Sequence, residues 1–341
     1  MPLHLALIVF PFALAAIIAG SLWLSRGIDA IGTRFSMLPG LLGLITALGS
    51  DSPEIFSAVT ALFAGEHEVG IGVVLGSNLF NLAALMGLSG LLSEDLPLKR
   101  PVVLFNGAVS LLETGVATLL VLHLLTPAVS MALLGAIFAA YVLVLWVRGD
   151  TVERLPIPPR AARWLATLVE DVHTHANRKD GEEKPAESGD KARDGWPLWA
   201  TIGASLLLIV AGSFAMVHSA LGMFTAWAIP KSLVGALVLA ALTGIPNTYT
   251  SIWLALRGKG AAVVSETLNS NTINIVVGIG LPALVFGVSR TRIGLFELWW
   301  LLGLTAVSVL LAALGKGLSR WNGMVIVVLY LVFVAMRVYL Q

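Results

Sequence analysis

Residues 49–59 read Gly-Ser-Asp-Ser-Pro-Glu-Ile-Phe-Ser-Ala-Val, and they set a proline and two carboxylates inside an apolar run that extends from about residue 38 to 63. A proline within a helix removes one hydrogen bond and frees the carbonyl four residues earlier, here that of Gly49. In hydrocarbon, a free carbonyl and a carboxylate are both costly unless protein, water or an ion satisfies them. The stretch therefore predicts a broken membrane helix lining a cavity.

Displacing the chain by 193 residues lays this region on a second copy of itself without a gap across some forty residues. Ala47 falls on Ala240, Pro53 on Pro246, Gly65 on Gly258, Leu75 on Leu268 and Gly87 on Gly280, while Ser77, Asn78 and Asn81 fall on Ser270, Asn271 and Asn274. The second proline frees the carbonyl of Leu242. Two prolines at matched positions, each beside polar residues, favour paired broken helices around one site over ordinary kinks.

The whole chain suits a bilayer. Of its 341 residues, 57% are hydrophobic and 12% charged, with a mean hydropathy of +0.89, whereas soluble domains are about a quarter charged. There is no cysteine, so any metal must be held by oxygen. With 21 basic and 20 acidic residues the chain has no electrostatic footprint for nucleic acid. Inorganic cations and the lipid bilayer are the expected partners, and no obligatory protein partner or bound cofactor is implied.

Apolar runs bounded by charge or by Gly, Pro and Asn predict ten spans, near 3–24, 38–63, 68–92, 102–122, 128–148, 197–219, 231–256, 261–287, 296–314 and 322–340. The first is read as a retained span, because nothing positive precedes it. Residues 149–196 break the pattern with Pro156, Pro158, Pro159 and a run of charge, and predict a linker with one amphipathic helix around Arg160 to Val172. Its His173 and His175 fall short of the three or four ligands a metal site needs. Alternating sides gather seventeen Lys and Arg with the linker and leave Lys231, Arg290, Arg292 and Arg337 opposite. The positive-inside rule then puts the linker in the cytoplasm and both termini outside, in a cell inner membrane.

Five spans precede the linker, an odd number, so the second copy enters from the opposite face. The expected fold is an all-α membrane protein of ten transmembrane helices in two inverted-topology five-helix repeats. These are residues 1–148, with a core at about 40–92, and 197–341, with a core at about 233–287.

Glu54 is the leading candidate cation ligand, since a carboxylate midway along an apolar helix costs several kcal/mol unless used or paired. Asp51 lies three residues earlier, on the same helical face. Ser50, Ser57, Ser77 and Asn81 add neutral oxygens, the mixture that hard cations prefer. The second copy offers Thr243, Asn247, Thr250, Ser270 and Asn274 at the matching positions, with no acid at the place of Glu54. Glu266, four residues before Ser270, either faces the cavity or pairs with Arg257 or Lys259. Gly72 and Gly76 form a small-xxx-small pair suited to close helix packing.

At these residues a family is recognisable. Residues 49–59 followed by GVVLGSNLFNLAALMG at 72–87 resemble the first alpha repeat of the sodium/calcium exchanger superfamily, and TGIPNTYTSIW at 243–253 followed by VVSETLNSNTINIVVG at 263–278 resemble the second. In that family both repeats usually supply an acid after the proline, and the two acids with hydroxyls and carbonyls bind one calcium or several sodium ions in turn. The resemblance carries ligand positions onto Ser50, Glu54, Ser77, Asn81, Thr243, Ser270 and Asn274. It also marks departures: Asn247 stands where the second acid is expected, Asp51 replaces a serine, Gly244 replaces its counterpart in the second repeat, and Glu266 occupies a place commonly uncharged.

The resemblance implies a secondary active cation antiporter, Ca2+ against Na+ or H+, working by alternating access at a mid-membrane site. A sodium–proton or other monovalent exchanger is the rival reading, and a channel is disfavoured by broken helices in inverted repeats. An enzyme is not expected: His67-Glu68 lacks the second histidine of a zinc protease motif, and no nucleophile or phosphate-binding motif is present.

Overall fold

In a bilayer the backbone must satisfy its own hydrogen bonds, and an apolar chain does so by forming helices. The computed structural model describes residues 1–34, 39–93, 96, 98–147, 158, 163, 165–171, 196–287, 292–314 and 317–340. The first half comprises α1 (Leu3–Arg34), α2 (Pro39–Ser50), α3 (Ser52–Phe63), α4 (His67–Leu92), α5 (Arg100–Val121) and α6 (Pro127–Trp146). The second half comprises α7 (Trp196–Ala226), α8 (Lys231–Thr243), α9 (Ile245–Leu256), α10 (Gly260–Ile273, continuing to Phe286), α11 (Arg292–Leu314) and α12 (Arg320–Tyr339).

Among the described residues, eight helices are long and apolar enough to cross a membrane, and α8 with α9, bent by 48° at their junction, makes up to nine. The second expected span, 38–63, is not among these helices. It forms two helices of twelve residues broken at Asp51, the break that Pro53 predicts because it cannot donate back into the helix. The first span also runs ten residues further than expected, to Arg34, and the sixth reaches Ala226. Residues 163 and 165–171 of the linker are helical, as its amphipathic pattern predicts. Leu168 and Val169 are buried there, and Lys99 bonds Asp171 at 2.6 Å. His173 and His175 lie outside the described residues.

Burial separates two inner helices from the rest. Within their spans α4 and α10 are 89% and 78% buried, against 22% for α6 and α12 and 28% for α1. On α6 only one stripe, Ser130, Leu134, Tyr141 and Leu145, turns inward, and the remaining apolar surface suits lipid. The two halves interleave, with α1 along α7, α4 across α8, α5 beside α10 and α11, and α12 against α4. Both inner helices widen into a π-helical turn, Leu82–Leu88 in α4 and Asn274–Gly280 in α10. Such turns are frequent at functional sites. Helices α3 and α9 end in the same way, on Gly65 and Gly258 with φ of +78° and +71°, a conformation that glycine adopts without strain.

The crossing of α4 and α8 brings backbone against backbone. A Cβ at Gly76 would stand 2.1 Å from the carbonyl oxygen of Ala236, and one at Gly235 2.5 Å from that of Val69. Neither oxygen can swing aside, as a side-chain tip could. Gly76→Ala is expected to separate the helices at a cost of at least about 1–3 kcal/mol, read as a lower melting temperature of the purified protein. Gly115→Ala on α5, where a Cβ meets nothing within 4 Å, is the control and should leave it unchanged or raised.

Candidate functional site

The breaks in α2–α3 and α8–α9 fall at Asp51 and Gly244, each opening a helix with proline in its first turn. Glu54 and Asn247 consequently lie one turn inside two helix N-termini, facing the inner helices. Asp51, Glu54, Ser57, Ser77, Asn78, Asn81, Thr243, Asn247, Ser270 and Asn274 are all buried.

Hydrogen bonds join these residues across the two halves. Asp51 Oδ1 accepts from Asn247 Nδ2 at 2.8 Å and from Ser270 Oγ at 2.7 Å. Ser270 Oγ in turn accepts from Asn81 Nδ2 at 2.9 Å. Glu54 Oε2 accepts from Asn274 Nδ2 at 2.8 Å, and Asn81 also faces this carboxylate. The Asn274 amide reaches Asn78 Oδ1 at 2.9 Å, while Asn78 donates to the carbonyl of Asn271 at 3.2 Å.

After these bonds, one oxygen on each of six buried side chains has no donor: Asp51 Oδ2, Glu54 Oε1, Ser77 Oγ, Asn81 Oδ1, Asn247 Oδ1 and Asn274 Oδ1. Buried polar atoms are normally paired, so a cluster of acceptors without donors needs a positive ligand. Hard cations take six to eight such oxygens. The cluster carries two carboxylates and therefore a formal charge of −2, with Glu266 close enough for its charge to act on Asp51.

Other predicted residues lie differently. Ser50 Oγ donates to the Ala47 carbonyl at 3.0 Å, within its own helix, and Thr243 Oγ1 does the same to Leu239 at 2.8 Å. Ser57 meets Ser213 of α7 at 3.4 Å rather than the carboxylates. The Gly49 carbonyl freed by Pro53 takes the hydroxyl of Ser52. Glu266 is half-buried and accepts from Ser251 Oγ at 3.3 Å, while the Arg257 guanidinium stacks 3.7 Å over the Trp253 ring. Sequence reading missed the part of Asn78 as a cross-half tie, although its match with Asn271 in the repeat was visible. It also passed over Glu113, a fully buried acid on α5 that the criterion applied to Glu54 would have found.

The chain matches the sodium/calcium exchanger protein family over residues 5–149 and 197–339. CaxA of Alkalimonas amylolytica is 25% identical over 273 residues, covering 76% of this chain and 74% of that protein. The inner membrane protein YrbG of Escherichia coli K12 is 24% identical over 262 residues, covering 74% and 71%. In fold, the chain is similar to the H+/Ca2+ exchanger CAX, with a TM-score of 0.69 at 14% identity, covering 100% of this chain and 86% of that one. It is also similar to the sodium-calcium exchanger NCX_Mj, with a TM-score of 0.63 at 19% identity and 98% coverage of each. With its apolar spanning helices and a family match across both halves, the chain is a multi-pass membrane protein belonging to the sodium/calcium exchanger family.

Proposed function

We propose that this protein is a secondary active antiporter that exchanges Ca2+ against Na+ or H+ by alternating access, with the ion held between Asp51, Glu54, Ser77, Asn81, Asn247 and Asn274. The observation that carries the reading is the cluster of six buried acceptor oxygens without donors, two of them on carboxylates. Its formal −2 matches one divalent ion or two monovalent ions, which is the balance an electroneutral swap needs. Ser270 acts as a support that fixes the Asp51 carboxylate, Ser50 and Thr243 bond carbonyls of their own helices beside the breaks, and Glu266 adds negative potential from the cytoplasmic side.

The ten-helix inverted-repeat plan belongs to the same proposal, with α2–α3 and α8–α9 as the broken spans. Supporting it are the breaks at Asp51 and Gly244, the left-handed glycines 65 and 258 and the π-helical turns, all at or within one residue of a 193-residue displacement. The inner-membrane setting, with the 149–196 linker cytoplasmic, rests on the seventeen-to-four distribution of Lys and Arg and on the likeness to YrbG. A protease site inserted between Gly181 and Gly189 should be cut from the cytoplasm, and a tag after Gln341 should be reached from outside. Both on one side would contradict the inverted plan.

Flux in proteoliposomes tests the function, with calcium, sodium, potassium and proton gradients varied one at a time. Calcium uptake that requires an opposing sodium or proton gradient is the expected result. Sodium flux against protons with no calcium movement would replace the reading by a monovalent exchanger, and calcium flux without any counter-ion would indicate a channel.

A further inference from the structure

Helices α5 and α10 run side by side in the same direction. Asn106 Nδ2 approaches Ser265 Oγ at 3.5 Å, and seven residues further along each helix Glu113 faces Thr272. Between these two points lie Ser110 on α5 and Asn269 on α10, the latter bonded to the hydroxyl of Tyr141 from α6. Asn106, Ser110 and Glu113 are spaced four and three residues apart and so share one helix face. All three are buried, Glu113 completely.

This column is short of donors. Ser110 Oγ and Asn106 Oδ1 lack a hydrogen-bond partner among the described residues, Glu113 has no donor there besides the facing Thr272 hydroxyl, and no ion pair reaches it. The central site cannot supply the missing charge, because α10 stands between. Asn269 and Thr272 occupy the flank of α10 toward Glu113, whereas Ser270 and Asn274 occupy the flank toward Asp51 and Glu54. A proton on Glu113 would satisfy one of the orphaned oxygens. A desolvated metal cation satisfies several at once, and a single carboxylate balances a single positive charge.

We propose that Glu113, Ser110 and Asn106, with Thr272 opposite, form a second cation site, separate from the central one and suited to a monovalent alkali ion. Its occupancy would brace the same α10 segment that carries Ser270 and Asn274. The site stands on its own geometry and does not require calcium to be the transported ion.

The test is equilibrium binding of radiolabelled sodium and rubidium to the purified full-length protein, with and without excess calcium. The wild type should show a component that calcium does not displace. Glu113→Gln should weaken that component at least about tenfold, while labelled-calcium binding stays within about twofold. Ser110→Ala should weaken it several-fold and serves as the readout if Glu113→Gln does not fold. Absence of a calcium-resistant component in the wild type, or its persistence in both variants, would overturn the proposal and leave Glu113 a neutral structural acid. Loss of calcium binding along with it would overturn the separation of the two sites. Failure of the wild type to bind calcium at all counts against the antiport reading and leaves the alkali-ion result to stand or fall alone.

Discussion

Glu54→Gln is expected to reduce calcium transport to background in a protein that folds as well as the wild type or better. Glutamine keeps the length of the side chain, and its carbonyl oxygen can accept the 2.8 Å bond that Asn274 now gives to Oε2. What disappears is the charge. The orphaned Oε1 position then belongs to an amide nitrogen, a donor pointed where a cation would sit. Ligand charge is a main determinant of affinity for a hard cation, and binding should fall at least about a hundredfold, near 2.7 kcal/mol. Removing a buried charge also removes its desolvation cost, so the melting temperature in calcium-free buffer should hold or rise. Proteoliposome flux and a thermal melt on the same preparation decide the matter. Near-normal flux in a well-folded variant would make Glu54 a structural acid.

Asp51→Asn should weaken calcium binding to a similar extent, and Asn247→Asp should restore part of it in the double variant. The reason is the 2.8 Å contact between the two side chains. In the wild type Asn247 donates to a carboxylate at position 51. In the swapped pair the amide introduced at position 51 would donate to a carboxylate at position 247, with the hydrogen bond reversed and the charge moved by one contact. The single variant Asn247→Asp places two carboxylates against each other and should lower stability in the absence of calcium, with calcium restoring it. Calcium titration of the four proteins gives the answer as a double-mutant cycle. Binding unaffected by Asp51→Asn would show that the required charge lies elsewhere, with Glu266 the next residue to neutralise.

The central features were legible because they violate the rules of the bilayer. Pro53 and Glu54 in an apolar run, repeated in part at Pro246, announced a broken helix and a buried charge, and both are where the sequence implied. The extent of the spans was less legible. A hydropathy run does not mark where a helix stops, so the helices expected at 3–24 and 197–219 run on to Arg34 and Ala226. Hydrogen-bond partners were hidden for another reason. Neither Ser57 nor Ser50 reaches the carboxylates, because a hydroxyl in a helix can turn back to its own carbonyls or across to any neighbour, and spacing does not choose between these. The contact of Asp51 with Asn247 joins residues 196 positions apart, and only the crossing of the halves creates it.

The breaks at Asp51 and Gly244 also bear on how long an ion stays. Each break opens a helix whose N-terminus carries a partial positive charge of about half a unit, felt most strongly within the first turn. Glu54 and Asn247 occupy those first turns. In the proposed site the same dipoles that ease the burial of the carboxylates repel the cation they hold. If the field of each terminus costs the bound ion ~1 kcal/mol, the pair shortens its dwell time about thirtyfold. An unbroken helix presenting the same carboxylates in its middle would hold calcium longer and turn over more slowly. In the proposed site, splitting the helices beside the acids would exchange grip for speed.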